Sequence, residues 1–149
     1  NVEISGVKYS RLPRFNNRLA HLVCATAKNL SNNATSIRKL LLRCSTSREA
    51  REALVENVHG FGPKQASLFL RRIGFCSDLA VLDVHILDYL ALKNGSLLKR
   101  SSLGRLDFYE MIESEFIQIA REFGFSVGAV DLAMWVTMRV AKKEYRWAL

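Results

Sequence analysis

The sequence predicts an all-α fold of six or seven helices, and three observations lead to that prediction. Apolar residues recur at helical spacing over most of the 149-residue chain. Serine, asparagine, glycine or proline interrupts this pattern at intervals that suit helix ends. Hydrophobic residues make up 49% of the chain, which is enough to bury a sizeable core. We therefore expect a single helical domain covering residues 1–149.

The predicted helices follow one another with short connections. The first ten residues show no clear period, and we expect a loop or short turn there. Ser45, Thr46 or Ser47 is a suitable cap for the third helix, with Glu49 in its first turn. The apolar run 79–82 is compatible with a strand or a turn. The helices are expected at about 17–28, within 31–44, and at about 47–57, 63–73, 84–94, 106–123 and 127–147.

Charge and cysteine content narrow the classes of function. The chain has 22 Lys and Arg against 14 Asp and Glu, a net charge of +8, which favours a polyanionic partner over a merely basic protein. Cys24, Cys44 and Cys76 form no C-x-x-C pair, so we expect free thiols and neither a zinc site nor an iron–sulfur cluster. No apolar run approaches the length of about 18 residues that spans a membrane. The sequence thus predicts an intracellular protein without membrane contact.

A glycine turn joins the third and fourth predicted helices in a hairpin unit at about 48–73. Gly60 and Gly62 flank Phe61, and glycine tolerates the positive φ values that tight turns need. Pro63 suits the first position of the next helix. Backbone amides of such a turn can donate to a DNA phosphate, and carbonyls from Val58 onward could hold a monovalent cation. The same turn also occurs without any role in DNA binding.

Lys64 and Asp83 extend this turn into a candidate active site. Lys64 lies in the first helical turn, where the helix dipole favours an uncharged amine, and an uncharged amine is a nucleophile for sugar carbons. Asp83 ends the loop 74–83 and could stabilise a developing oxocarbenium ion. The alternatives are a solvated surface lysine and an aspartate that only caps the helix beginning at Val84. For His85 a structural role is favoured over that of a base.

The segment HGFGPKQASLFLRRIGF, followed by AVLDVHIL, resembles the helix–hairpin–helix superfamily of base-excision DNA glycosylases. Within it, the similarity is greatest to archaeal-type 8-oxoguanine DNA glycosylase/AP lyases, and VDLAMWV in the last helix matches that subfamily too. The resemblance implies that Lys64 attacks the anomeric carbon of the damaged nucleotide and forms a Schiff base. It implies that Asp83 assists glycosidic cleavage, and that Gly60, Phe61 and Gly62 contact DNA.

The resemblance also suggests where the damaged base and the duplex are held. Trp135 matches a residue of the base pocket, with a purely structural core role as the alternative. Asp131 matches an acidic position one turn earlier, for which a helix-orienting role is equally compatible. Arg14 and Phe15 match a pair near the DNA face that acts as a wedge, although a solvated helix entrance is the alternative on sequence alone.

The expected protein is therefore a monomeric, bifunctional glycosylase acting on double-stranded DNA that contains a damaged base. It would need no cofactor, because the four-cysteine cluster of related branches is absent from the sequence. The family has further helical sequence ahead of the position matched by Asn1, so either part of the N-terminal lobe is lacking or the base pocket is built differently. The alternatives are a glycosylase for another modified base and a non-catalytic DNA-binding module.

Overall fold

The computed structural model describes residues 2–4, 7–9, 15–95 and 100–144, with side chains described for 15–95 and 102–143. Seven α-helices occur in these ranges, so the prediction of an all-α fold with six or seven helices is confirmed. A 3₁₀ helix covers Arg100–Gly104. The helices are α1 (Asn16–Asn32), α2 (Ile37–Leu41), α3 (Ser47–Asn57), α4 (Pro63–Arg72), α5 (Val84–Asn94), α6 (Leu106–Glu122) and α7 (Val127–Glu144).

The expectation of a loop or short turn in the first ten residues is wrong, because two short strands lie there. Strands β1 (Val2–Ile4) and β2 (Val7–Tyr9) pair antiparallel, with Val2 opposite Tyr9. Each strand has β-branched or aromatic residues at alternate positions, which is the pattern that favours a strand. Three residues contain only one repeat of this two-residue pattern, which is too short to distinguish from an irregular segment.

The helix ends show the capping interactions expected from the sequence. Thr46 caps α3 in a reciprocal capping box with Glu49, as one of the predicted alternatives required. Ser36 caps α2 by accepting from the backbone N–H of Lys39 at 3.2 Å. Pro63 occupies the first turn of α4. α1 continues to Asn32, four residues beyond the predicted end, so residues 29–32 belong to this helix.

Two hydrophobic cores lie on either side of the loop 79–83. The hairpin core is built from α2, α3 and α4 and contains Leu41, Ala50, Leu54, Val58, Ala66, Leu70 and Leu79. The C-terminal core is built mainly from α5, α6 and α7 and includes Ile86, Leu90, Tyr109, Ile112, Phe116, Ile119, Val130, Met134 and Met138. Leu79 packs in the first core, whereas Ala80 and Leu82 pack in the second. The loop that leads to Asp83 therefore joins the two cores.

The helix α1 rests on the hairpin without burying any of its own residues. Its Thr26 hydroxyl accepts from the backbone N–H of His59 at 2.9 Å, and its Asn29 amide donates to the carbonyl of Asn57 at 3.1 Å. These two hydrogen bonds hold α1 at the end of α3, directly beside the glycine turn.

No single helix in the described parts of the chain is long and apolar enough to cross a membrane. α6 and α7 are long and apolar enough only when they are taken together, and this pair is bent by 93° at the connection between them.

Candidate active site

The glycine turn has a tight geometry in which one glycine adopts a positive φ. Gly60 has a φ of +85°, and a Cβ there would lie 2.6 Å from a methyl carbon of Leu22 on α1. The N–H of Phe61 donates to the carbonyl of Val58 at 3.0 Å and closes the turn. Gly62 has an extended backbone with a φ of −100°, so positive φ is found in this turn at Gly60 only. The positive φ disfavours a side chain at Gly60, and a Cβ there would also require the Leu22 side chain to shift.

Two backbone amides of the turn are candidate donors to an anion. Within the described residues, the N–H groups of Gly60 and Gly62 donate to no protein acceptor. Gly62 also precedes α4, whose N-terminus carries a partial positive charge. Phe61 turns inward and packs edge-on against Phe69, with ring centroids 5.8 Å apart. The backbone of this turn, rather than the Phe61 ring, is therefore available to a phosphate.

Lys64 is the second residue of α4 and is half-buried. Among the residues with described side chains, its Nζ has no ion-pair or hydrogen-bond partner. An amine with no competing partner in the protein can turn towards a ligand at the hairpin.

Asp83 caps α5, and its predicted capping role is confirmed. Its Oδ1 accepts from the backbone N–H groups of His85 at 2.8 Å and Ile86 at 3.1 Å. The carboxylate is half-buried, and both of these bonds use the same oxygen. Its second oxygen, Oδ2, has no protein partner among the described residues. The cap thus fixes the carboxylate and leaves one oxygen available.

The loop preceding Asp83 is held by side chains from two distant helices. The backbone N–H of Ala80 donates to Glu113 at 2.9 Å, and that of Val81 donates to Asp131 at 2.7 Å. The N–H of Leu82 donates to the Tyr109 hydroxyl at 3.0 Å, and this hydroxyl donates to the carbonyl of Ala80 at 2.9 Å. We call the three acceptors, Tyr109, Glu113 and Asp131, the loop clamp.

Arg51, in the middle of α3, supports one side of the loop clamp. Its guanidinium donates to Glu113 at 2.7 Å and to Glu110 at 2.8 Å, and it lies over the ring of Tyr109 at 5.2 Å. It also donates to the Ser67 hydroxyl on α4 at 3.3 Å. Arg51 and Glu113 are completely buried. Burial raises the pKa of the Glu113 carboxyl, although the charge of Arg51 opposes that shift.

Arg71, near the end of α4, supports the other side. It pairs with Asp131 and donates to the carbonyl of Gly128 at 3.0 Å. Asp131 is 5% exposed, and burial raises its pKa, while the Val81 amide and Arg71 act in the opposite direction. The same Asp131 oxygen accepts from Arg71 and from Val81, which fits the helix-orienting alternative for this residue. Its contribution to a base pocket stays a prediction.

Trp135 lies one turn after Asp131 and beside the N-terminus of α5. It is half-buried and meets the ring of His85 edge-on, with centroids 5.9 Å apart. The guanidinium of Arg139 lies over the indole at 5.0 Å. The Nδ1 atom of His85 is buried without a partner among the described residues. The fold thus brings Trp135 next to the helix turn capped by Asp83.

The predicted DNA wedge is described only in part. Phe15 precedes α1, is 67% exposed and has a left-handed backbone with a φ of 60°. Arg14 lies outside the described residues. Phe15 therefore lies at the N-terminus of α1, the helix that packs beside the glycine turn.

Sequence reasoning missed Arg51, Arg71, Tyr109 and Glu113. One signal was available for Glu113, which stands four residues after Tyr109 and three before Phe116 on the apolar face of α6. A carboxylate at such a position needs a buried partner.

No group of three or more His, Cys, Asp or Glu side chains able to hold a metal ion occurs among the described residues.

A cavity of about 540 Å³ lies between α5, the end of α6 and α7, where Tyr89, Phe123 and Met134 contribute to its apolar lining. Lys64, Asp83 and Trp135 do not line this cavity.

A glycine hairpin between two helices, a lysine in the first turn of the second helix and an aspartate capping the following helix form the arrangement expected of the helix–hairpin–helix class of DNA glycosylases. A family profile described as 8-oxoguanine DNA glycosylase matches residues 5–125. The chain therefore belongs to the 8-oxoguanine DNA glycosylase family.

Relatives of known name support this assignment. The chain is 43% identical over 100 residues to the 8-oxoguanine DNA glycosylase/AP lyase of Korarchaeum cryptofilum, covering 66% of this chain and 46% of the relative. It is 34% identical over 119 residues to the protein of the same name from Sulfurisphaera tokodaii, covering 80% and 55%. The crystal structure of Methanocaldococcus jannaschii 8-oxoguanine DNA glycosylase matches with a TM-score of 0.64 and 31% identity, covering 82% and 54%. The chain thus spans about half the length of the relatives it matches.

Proposed function

We propose that this protein is a bifunctional DNA glycosylase/AP lyase that excises an oxidised purine, 8-oxoguanine, from double-stranded DNA. The proposal rests on the amine of Lys64, which has no hydrogen-bond or ion-pair partner among the described side chains. It lies next to a turn whose Gly60 and Gly62 amides have no protein acceptor within the described residues. The relatives from Korarchaeum cryptofilum and Sulfurisphaera tokodaii are named as glycosylase/AP lyases, which supports both activities.

In the proposed reaction, the uncharged amine of Lys64 attacks the anomeric carbon of the damaged nucleotide. The glycosidic bond breaks, the base leaves with the bonding electron pair, and a proton later neutralises the base. Asp83 stabilises the positive charge that develops on the sugar as this bond lengthens. Opening of the sugar gives a Schiff base between Lys64 and the deoxyribose carbon, and β-elimination then expels the 3′-phosphate and cleaves the strand.

DNA contact is proposed to use the hairpin and the entrance to α1. The amides of Gly60 and Gly62 would donate to a phosphate beside the lesion, and the carbonyl of Val58 would help hold a monovalent cation. Arg14 and Phe15 would act as the wedge that fills the gap left by the extruded nucleotide. A net charge of +8 favours the approach of a polyanion. The protein would act as a monomer inside the cell.

Base recognition is proposed to involve Trp135, whose indole offers a flat surface for stacking. A half-buried tryptophan next to the helix capped by Asp83 is in a suitable place to meet an extruded base. Asp131 would contribute by keeping α7 in register with the loop rather than through a direct contact.

Borohydride trapping on a duplex containing 8-oxoguanine tests the proposal. The wild-type chain should give a covalent adduct, and Lys64→Gln should give none. Lys93→Gln is a matched control, since Lys93 is an exposed lysine whose only described ion pair is a 3.9 Å contact with Glu122. Equal trapping by wild type and Lys64→Gln would show that the nucleophile is misassigned.

The same assay distinguishes the two alternative functions. A panel of duplexes with different modified bases would show adducts on another lesion if the substrate is misassigned. A non-catalytic DNA-binding module would bind duplex in a salt-dependent way, retain that binding in Asp83→Asn, and cleave no strand.

A further inference from the structure

The loop 79–83 is buried although it has no regular secondary structure. Its first four side chains, Leu79, Ala80, Val81 and Leu82, are between 0% and 7% exposed. Buried backbone N–H groups require acceptors, and here no neighbouring strand or helix turn supplies them. Every one of the N–H groups of residues 80, 81 and 82 is instead bound by a side chain of the loop clamp.

The supports of the loop clamp come from the hairpin itself. Arg51 on α3 binds Glu113, and Arg71 on α4 binds Asp131. These two helices flank the glycine turn, and α4 carries Lys64. Two separate ion pairs therefore connect the hairpin helices with the backbone directly preceding Asp83. One runs from α3 through Glu113 on α6, and the other runs from α4 through Asp131 on α7.

We propose that Tyr109, Glu113 and Asp131, supported by Arg51 and Arg71, are positioning residues that fix Asp83 relative to the hairpin carrying Lys64. This inference rests on the proposed function, because it assigns the loop clamp a role in the reaction of Lys64 and Asp83. None of the five touches the reacting atoms in this scheme. They act on the rate of base release by holding the Asp83 carboxylate in place.

Tyr109 offers the cleanest position for a test. Its hydroxyl accepts from the N–H of Leu82, the residue before Asp83, and donates to the carbonyl of Ala80. Burial raises the pKa of this phenol, so it remains a donor at all ordinary pH values. Tyr109→Phe removes both bonds and keeps the ring that fills the C-terminal core.

The experiment compares single-turnover base release on an 8-oxoguanine duplex in four proteins: wild type, Tyr109→Phe, Asp83→Asn, and the double variant. Tyr109→Phe should slow base release by about tenfold or more, because a displaced catalytic group loses its alignment. Its affinity for a duplex containing a tetrahydrofuran abasic analogue should stay within about twofold of wild type. In the Asp83→Asn background, the same change should have little further effect, because the group it positions is no longer present.

Ile119→Ala separates positioning from loss of stability. Ile119 lies on α6 in the same core, is 2% exposed and has no polar contact with the loop. This variant should lower the melting temperature at least as much as Tyr109→Phe and still release base at nearly the wild-type rate, when both are measured well below their melting temperatures.

Glu113 provides a second comparison should Tyr109→Phe fail to fold. Glu113→Gln keeps an acceptor for the N–H of Ala80 and should retain most activity, whereas Glu113→Ala should not. Hydrogen exchange at the amides of Ala80 and Leu82 gives a readout independent of activity, and Tyr109→Phe should accelerate exchange at Leu82.

The outcomes distinguish this inference from the proposed function. An absence of base release and of trapping by the wild-type chain would overturn the proposed function. An active wild type with an unimpaired Tyr109→Phe, or a Tyr109→Phe effect of equal size in the Asp83→Asn background, would overturn the inference alone.

Discussion

Arg51 and Glu113 are separated by 62 residues in sequence, yet they form a fully buried ion pair with an N–O distance of 2.7 Å. Arg51→Met should leave Glu113 as a buried acid without its main partner and cost about 3 kcal/mol in the free energy of unfolding. Urea denaturation monitored by circular dichroism measures this cost. Lys93→Gln, which breaks the exposed contact with Glu122 at 3.9 Å, should change stability by less than about 0.5 kcal/mol. Equal costs for the two variants would refute the structural importance of the buried pair.

Asp83 has a capping role and a proposed catalytic role, and two substitutions separate them. Asn is as good a helix cap as Asp, so Asp83→Asn should stay within about 0.5 kcal/mol of wild type in stability. Losing the carboxylate should still slow base release by about 100-fold or more. Asp83→Ala should in addition lose about 1 kcal/mol of stability. Thermal melts and single-turnover assays on the same preparations give both quantities, and a catalytically normal Asp83→Asn would rule out the electrostatic role.

The raised pKa of Asp131 predicts how stability changes with pH. Its carboxyl has an ordinary pKa of 3.8, and burial raises that value in the folded protein, with the Val81 amide and Arg71 opposing the shift. The folded state therefore keeps the proton to higher pH than the unfolded state does. The resulting stabilisation is complete below about pH 4 and is lost as the pH rises through the folded pKa.

Asp131→Asn tests this pH dependence because it removes the titrating group. The difference in free energy of unfolding between wild type and Asp131→Asn should fall as the pH increases from about 4, and level off above the folded pKa. Denaturation curves at pH 3.5 to 8 measure it. A difference that grows with pH would mean that Arg71 dominates and that the pKa of Asp131 is lowered.

Gly60 combines a positive φ with contact to Leu22, so Gly60→Ala should be costly in two ways. The left-handed backbone alone disfavours a Cβ by about 1 kcal/mol. The Cβ would also push Leu22 and loosen the contact between α1 and the hairpin. Gly62→Ala is the matched control, since its φ of −100° suits any residue and its Cβ would meet only the Gln65 side chain at 3.3 Å. Melting temperatures and salt-dependent duplex affinity should both fall more in Gly60→Ala.

The helices and the capping role of Asp83 could be predicted from sequence because local patterns encode them. The capping box of Thr46 and Glu49, Pro63 at the start of α4, and the cap at Asp83 all depend on residues within four positions of one another. The strand pair at the N-terminus escaped prediction because its pattern extends over only three residues per strand.

The loop clamp could not be predicted because its partners are distant in sequence. Val81 and Asp131 are 50 residues apart, and Leu82 and Tyr109 are 27 apart. Which acceptor meets which amide is settled by how α6 and α7 pack on the C-terminal core, and that packing has no local signature. For Asp131 the sequence allowed both a base-pocket role and a helix-orienting role, and its contacts with Arg71 and Val81 favour the second.

Because the clamp binds backbone amides, any amino acid except proline can supply the hydrogen that it needs at positions 80, 81 and 82. These positions are buried, so they are restricted to apolar side chains of suitable volume, but within that limit their identity can change while the loop keeps its shape. The loop conformation is determined by side chains outside the loop, those of Tyr109, Glu113 and Asp131. A saturation mutagenesis map would accordingly tolerate small apolar exchanges before Asp83, reject proline there, and show its strictest polar requirements on two helices remote in the chain.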